Sequence, residues 1–224
     1  MVFMGRAPAR GLVQVVLVRR HRQNGDAFLQ QRLTQEGLKY APQADTTTLI
    51  RRVALDLTGL PPTPDEVKAF VADTSPDAVK RVIDMYLDSE RYGERWARHW
   101  LDVVRFAESH GFEMNRVRPN AWPYRDYVIR AFNEDKPYDQ FVREQIAGDQ
   151  LGTDEGTGFL VAGSWDQVKG ADPVLRANQR ADEMHDLVST TGSTFLGLTI
   201  GCARCHDHKF DPILQTDYYR VRAI

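Results

Sequence analysis

The sequence predicts a mainly α fold, an irregular multi-helix bundle with long loops and little or no sheet. Two kinds of observation carry this. Apolar residues recur at spacings of three and four along most of the chain, and Ser, Thr, Asp or Pro start signals precede several of these stretches. Together the helical stretches leave little room for strands. No 20–50-residue repeat is present, which argues against a solenoid.

Taken in order, the elements are these. Between Asp26 and Leu38, Phe28, Leu29, Leu33 and Leu38 form a rough helical stripe that stops near Gly37. Asp45 or Thr46 caps a second helix, in which Leu49, Ile50, Val53, Ala54 and Leu57 share a face; Gly59 and Pro61-Pro62 end it. Thr63-Pro64-Asp65-Glu66 combines an N-cap, a first-turn proline and a capping-box glutamate. Ser75-Pro76-Asp77 repeats the device before Val79, Val82, Ile83, Tyr86 and Leu87. The next helix is expected from about Tyr92 to Ser109, with Trp96, Trp100, Val103 and Ala107 on one stripe. A loop from Gly111 to Pro119 follows. Trp122-Pro123 and Pro137 each open a further helix, and the Gly-rich stretch from Gly148 to Gly163 reads as a surface loop or two short extended pieces. A long helix over Arg176–Leu198 turns Met184, Leu187, Thr191, Phe195 and Leu198 inward and leads to Cys202. Thr216-Asp217-Tyr218-Tyr219 begins another helix just before Ile224.

Composition narrows the function classes. The chain has 224 residues, 29 Lys and Arg against 31 Asp and Glu, and a net charge of −2, so no basic excess points to nucleic acid. Residues 1–24 are an atypical Arg-rich segment with Arg6, Arg10, Arg19, Arg20 and Arg22 around the short apolar run Gly11–Val18. That run is too short to span a bilayer and makes a poor signal peptide. No later segment approaches membrane-spanning length. The expected organisation is this tail, outside the fold, followed by a single helical domain over 26–224 that is truncated at its end.

The two cysteines stand together in Cys202-Ala203-Arg204-Cys205-His206, which excludes a disulfide framework. This spacing has the form of a covalent c-type haem attachment site. Two thiols add to the two haem vinyl groups, and the adjacent His206 becomes the proximal iron ligand. The alternative is zinc held by Cys202, Cys205, His206 and His208, although ligands this close in sequence are cramped for a tetrahedral site. A redox or structural thiol pair is a third possibility. A distal iron ligand has to come from upstream, with Met114, Met184, His110, His185 and His99 as candidates.

Other constellations carry two readings each. His99, Asp102 and Arg105, with Glu108 and His110 beyond, form either a polar catalytic pocket or a helix surface tied to neighbouring loops. Asp182, Glu183, His185 and Asp186 are a metal or supporting site or a solvated face. Asp207 and Asp211 either bond backbone amides in a turn or tune His206. Trp96, Trp100, Trp122, Tyr124 and Tyr127 read as core more than as a sugar platform.

Four segments carry a family resemblance: LIRRVALDLTGLPPTPDEV, RYGERWARHWLDVVRFAES, YRDYVIRAFNEDKPYDQFVREQIAGD and GCARCHDHKFDPILQTDYYR. Over residues 26–224 the chain resembles an uncharacterised bacterial domain of unknown function that accompanies planctomycete-type cytochrome c modules in large secreted proteins. The resemblance implies haem-associated redox or glycan-related work outside the cytoplasm, at the periplasm or cell surface, with flanking domains as partners. It carries over to Cys202, Cys205 and His206, and to His99, Asp102 and Arg105. The leading expectation is a haem c domain passing electrons. Its rivals are an enzyme acting on polysaccharide-derived substrates and a structural module.

Overall fold

The structure is a computed structural model that describes residues 26–223. The Arg-rich segment 1–24 lies outside the described residues. Among these, the fold is a mainly α, multi-helix one, whose only ladder pairing is a single antiparallel bridge between Ser109 and Val117. The chain divides into two compact units, residues 26–96 with 132–137, and residues 97–131 with 138–223.

In the first unit, α1 spans residues 26–35 and closes at Gly37, whose φ of 68° is the left-handed conformation that glycine adopts without strain. The expected apolar stripe of α1 is not buried, since Phe28, Leu29 and Leu38 are all exposed. Helix α2 (Thr46–Thr58) begins where Asp45 accepts hydrogen bonds from the Thr48 amide at 2.8 Å and the Thr48 hydroxyl at 2.7 Å. These bonds hold the Asp45 carboxyl below its usual pKa. Helix α3 (Pro64–Ala72) carries the expected capping box: the Glu66 amide donates to Thr63 Oγ1 at 3.3 Å, and the Thr63 amide to Glu66 Oε2 at 2.6 Å. Asp45→Ala is expected to cost about 1 kcal/mol of stability by urea denaturation. An unchanged midpoint would show that this cap contributes nothing.

Helix α4 (Ala78–Leu87) starts differently from the expectation. Asp77 makes no side-chain cap bond; Asp73 instead accepts from the Ser75 amide at 3.0 Å and pairs with Arg81. The Arg81 guanidinium and the Ser75 amide pull the Asp73 carboxyl down to about 2. Ile50, Ala54, Phe70, Ala78 and Tyr86 form the core of this unit, with Leu49, Val53, Leu57, Val67 and Val82 packed on it. The predicted face of α2 is therefore the buried one.

Helix α5 (Glu90–Val104) stops five residues before the expected Ser109. Arg105 sits at φ 61°, the Arg105 amide donates to Asp102 O at 2.9 Å, and the Phe106 amide to Leu101 O at 2.9 Å. This is a Schellman end with arginine where glycine is the common choice.

In the second unit, α6 (Trp122–Asn133) and α7 (Tyr138–Leu151) bury an aromatic core around a polar network. Trp100 Nε1 donates to Gln145 Oε1 at 2.8 Å, as does the Tyr124 hydroxyl at 2.7 Å; the Tyr127 hydroxyl donates to Glu144 at 2.8 Å. Tyr124 and Tyr127 are core residues, as expected, whereas Trp122 is half exposed. The Gly148–Gly163 stretch is neither a loose loop nor extended. After a break at Ala147 it coils into a 3₁₀ turn (Asp154–Thr157) and α8 (Gly158–Val161), burying Phe159 and Ala162.

Helix α9 (Pro173–Thr191) begins three residues before the expected Arg176, because Asp172 caps it by accepting from the Val174 amide at 2.9 Å. It also ends early. A π turn (Gly192–Leu196) and the left-handed Gly197 reverse the chain, so that Ile200 can pack on Gly192. The 3₁₀ turn Ile200–Arg204 follows, then α10 (Gln215–Arg222).

Candidate functional site

The Cys-x-x-Cys-His segment is presented by a small platform of α9, the 3₁₀ turn and α10. Val188, Ile200, Ala203, Ile213 and Tyr218 are its buried core. Ala203 is fully buried in the turn, while Cys202 before it and Cys205, just past the turn's end, line one cavity. Both are exposed free thiols. Gly201 lets the turn approach α9 closely: a Cβ there would collide with the Ser189 side chain and lie 3.1 Å from His185 Cε1.

Hydrogen bonds fix the turn from several sides. Arg204 pairs with Asp182 of α9 at 2.7 Å, which raises the guanidinium pKa further. The Arg204 carbonyl accepts from Gln215 Nε2 at 3.1 Å and from the Tyr219 hydroxyl at 3.2 Å. Asp207 accepts the Gln215 amide at 2.7 Å, which gives it the backbone-bonding role at the start of α10. Tyr218 lies beneath with its hydroxyl 3.1 Å from His185 Nδ1, and burial pushes its phenol upward in pKa.

The two histidines of the turn differ in what their rings can do. His206 is exposed, and its Nδ1 lies 2.7 Å from the Asp207 carbonyl. A carbonyl only accepts, so Nδ1 carries the hydrogen, and in the neutral ring Nε2 is the nitrogen with the free lone pair. His208 is the reverse. Its Nδ1 accepts the Asp211 amide at 2.9 Å and the Phe210 amide at 3.3 Å, which leaves Nε2–H to donate to Thr199 Oγ1 at 2.8 Å. An ion pair between His208 Nδ1 and Asp211 Oδ2, 3.3 Å apart, would need a hydrogen on Nδ1. Two amides aimed at the same nitrogen oppose it. Both His208 ring nitrogens thus hold the loop together. Among the described residues no group of three or more His, Cys, Asp or Glu is placed to hold a metal ion.

The cavity that the two cysteines share has a volume of about 550 Å³ and is lined by Cys202, Cys205, His206, His185, Lys209 and Phe210 among others. Phe210 is 84% exposed at its rim. The volume falls within the roughly 300–1,000 Å³ usual for small-molecule and cofactor sites.

With this geometry established, a family model decides the affiliation. The model PSCyt2, described as "Protein of unknown function (DUF1549)", matches residues 25–224. The chain belongs to this DUF1549 family. No curated protein matches it, and no solved structure matches it.

The other residues singled out in the DUF1549 sequence are not brought together. His99 and Asp102 are exposed on α5 and line neither this cavity nor a second one. Arg105 turns instead to pair with Asp186 of α9 and lines a second cavity of about 590 Å³. Of the distal-ligand candidates, His185 alone lines the Cys-x-x-Cys-His cavity. His110 lines the second, with its Nδ1 accepting from Arg118 Nε at 3.1 Å, and Met114 is exposed. Met184 is half-buried on α9. Sequence reading missed Tyr218 and the Asp182–Arg204 pair as supports of the turn, and Arg118 altogether. A lone arginine in a loop carries no spacing signal. Among the described residues no helix is long and apolar enough to cross a membrane.

Proposed function

We propose that this DUF1549 domain is a covalent haem c site, in which Cys202 and Cys205 form the thioethers and His206 is the proximal ligand. The observation that carries the reading is the 2.7 Å contact of His206 Nδ1 with the Asp207 carbonyl, on an exposed ring beside two exposed free thiols. The contact commits Nδ1–H, so that Nε2 is the nitrogen left for a metal. Metal-bound histidines usually donate their second ring nitrogen to a carbonyl in this way, which fixes the ring and raises ligand basicity.

Each thiol would add across one vinyl group, sulfur to one carbon and hydrogen to the other, so attachment consumes no oxidant. The buried Ala203 and the bonds to the Arg204 carbonyl anchor the backbone between the two cysteines, and both line the same cavity. Phe210 supplies an apolar wall, and His185 stands within the same cavity. Bound haem supplies a one-electron couple whose potential follows the ligands, hydrogen bonds and burial around the iron. Electron transfer inside a larger exported protein, beside a cytochrome c module of planctomycete type, is the use we assign to it. A periplasmic or cell-surface location follows from where such attachment takes place. The zinc alternative is weaker, because either ring nitrogen of His208 would have to give up its present partners, two backbone amides at Nδ1 or Thr199 at Nε2, to serve as a ligand.

The test is export of the chain behind a signal peptide in a host with haem-attachment machinery. A haem-stained band on a denaturing gel and a haem c pyridine haemochrome spectrum are expected. Folded, exported protein without covalent haem would overturn the assignment.

A further inference from the structure

The second cavity lies wholly within the second unit, and its charge does not balance. Its wall includes Arg105, Arg118 and Arg180 against Glu183 and Asp186, three cations to two anions. Arg105 pairs with Asp186, and Glu183 is shared by Arg180, at 3.1 Å, and Lys169. Arg118 is the cation of this wall without such a pairing. Among the described residues, no carboxylate lies within ion-pair distance of it.

Arg118 is half-buried, and every polar contact it makes is to a neutral group. Its Nη1 donates to Ala162 O at 3.0 Å and Val161 O at 3.4 Å, its Nη2 to Gly163 O at 2.7 Å, and its Nε to His110 Nδ1 at 3.1 Å. Carbonyls and a neutral imidazole offer partial charges only. The burial lowers the guanidinium pKa with no opposing anion to raise it again. A partly buried guanidinium bonded only to neutral groups leaves room for a favourable charge-assisted contact with an added anion. His110, accepting at Nδ1, has Nε2–H left as a donor.

The backbone adds an independent observation. Arg105 occupies the left-handed position that ends α5, where glycine would sit without strain. Strain of this kind concentrates where a side chain has a task. Here the side chain of Arg105 forms the cavity wall together with Asp186, closing against Gly163.

We propose that this cleft binds a small organic monocarboxylate, its carboxylate at Arg118 and its apolar or ring body against Phe106, Tyr124 and Leu187. One carboxylate matches the one guanidinium of the wall that has no carboxylate partner. The apolar wall requires an organic body. The assignment is independent of the cysteines, so it stands or falls without haem.

The probe pair is benzoate and its uncharged analogue benzamide, titrated into the purified chain by calorimetry. Benzoate should bind at one site per chain, about tenfold or more tighter than benzamide, and Arg118→Gln should abolish the difference. Equal binding of the two, or no saturable heat with benzoate up to about 30 mM, overturns the proposal. So does displacement of benzoate by inorganic sulfate at lower concentration, which would assign the cleft to a dianion. Should Arg118→Gln fail to fold by circular dichroism, the Arg118 Nε–Hε resonance of the unaltered chain decides. It must shift with benzoate and not with benzamide; a resonance that stays in place overturns the proposal.

Discussion

An exported C202A/C205A variant should carry no covalent haem and yet shift Tm by no more than about 4 °C, since each exposed substitution stays within roughly 0.5 kcal/mol. Both cysteines are exposed, and the residue that packs the turn is the fully buried Ala203 between them. Attachment chemistry and folding are therefore separable at this site. A thiol pair serving as a structural staple predicts the opposite, a clear loss of Tm with no change in haem content. His206→Ala gives a third pattern, in which thioethers remain and the haem stain persists while the absorption spectrum changes. Loss of stability together with intact haem content in the double-cysteine variant would sink the proposed role of the sulfurs.

Gly148→Ala is expected to destabilise the fold by about 1–3 kcal/mol, as overpacking of a filled interior does. A Cβ at Gly148 would fall well inside the contact distance of the Thr153 carbonyl oxygen, while the Gly148 carbonyl accepts the Thr153 amide at 2.8 Å. Neither group is a flexible side chain that can swing away. Gly156→Ala should behave alike, since its Cβ would meet the Glu144 carbonyl oxygen at 2.5 Å. Gly152 has the opposite character: nothing lies within 4 Å of its Cβ, and only its φ of 73° favours glycine. Gly152→Asn should therefore be nearly neutral, asparagine tolerating that conformation. Urea denaturation of the three variants reads the contrast. Equal stability of all three would show that the glycine-rich stretch is not packed.

Those glycines also mark where sequence reasoning reached its limit. A glycine that permits close backbone approach looks the same, along the chain, as one in a surface turn. Only the partner tells them apart, and Gly156 meets its partner twelve residues away in α7. The caps at Asp45 and Thr63 were legible because their chemistry is complete within four residues. The end of α5 was not, since arginine at a left-handed terminus gives no warning. At the site, spacing marked Cys202, Cys205 and His206 as a unit. The uneven roles of His206 and His208 depend on which backbone groups face each ring, and two residues of separation in sequence say nothing about that.

Helix α9 stands between the two cavities of its unit. Asp182, His185 and Ser189 face the cysteine turn, whereas Glu183, Asp186 and Leu187 line the other cleft, and Val188 packs the core. Residues 182–189 thus leave almost no position without a duty. These roughly two turns of helix cannot be re-optimised for one cavity without disturbing the other. Laboratory selection on either cavity should meet trade-offs here first, and paired substitutions across the two faces should combine non-additively. The segment is a party wall between the two cavities, fixed in register by both.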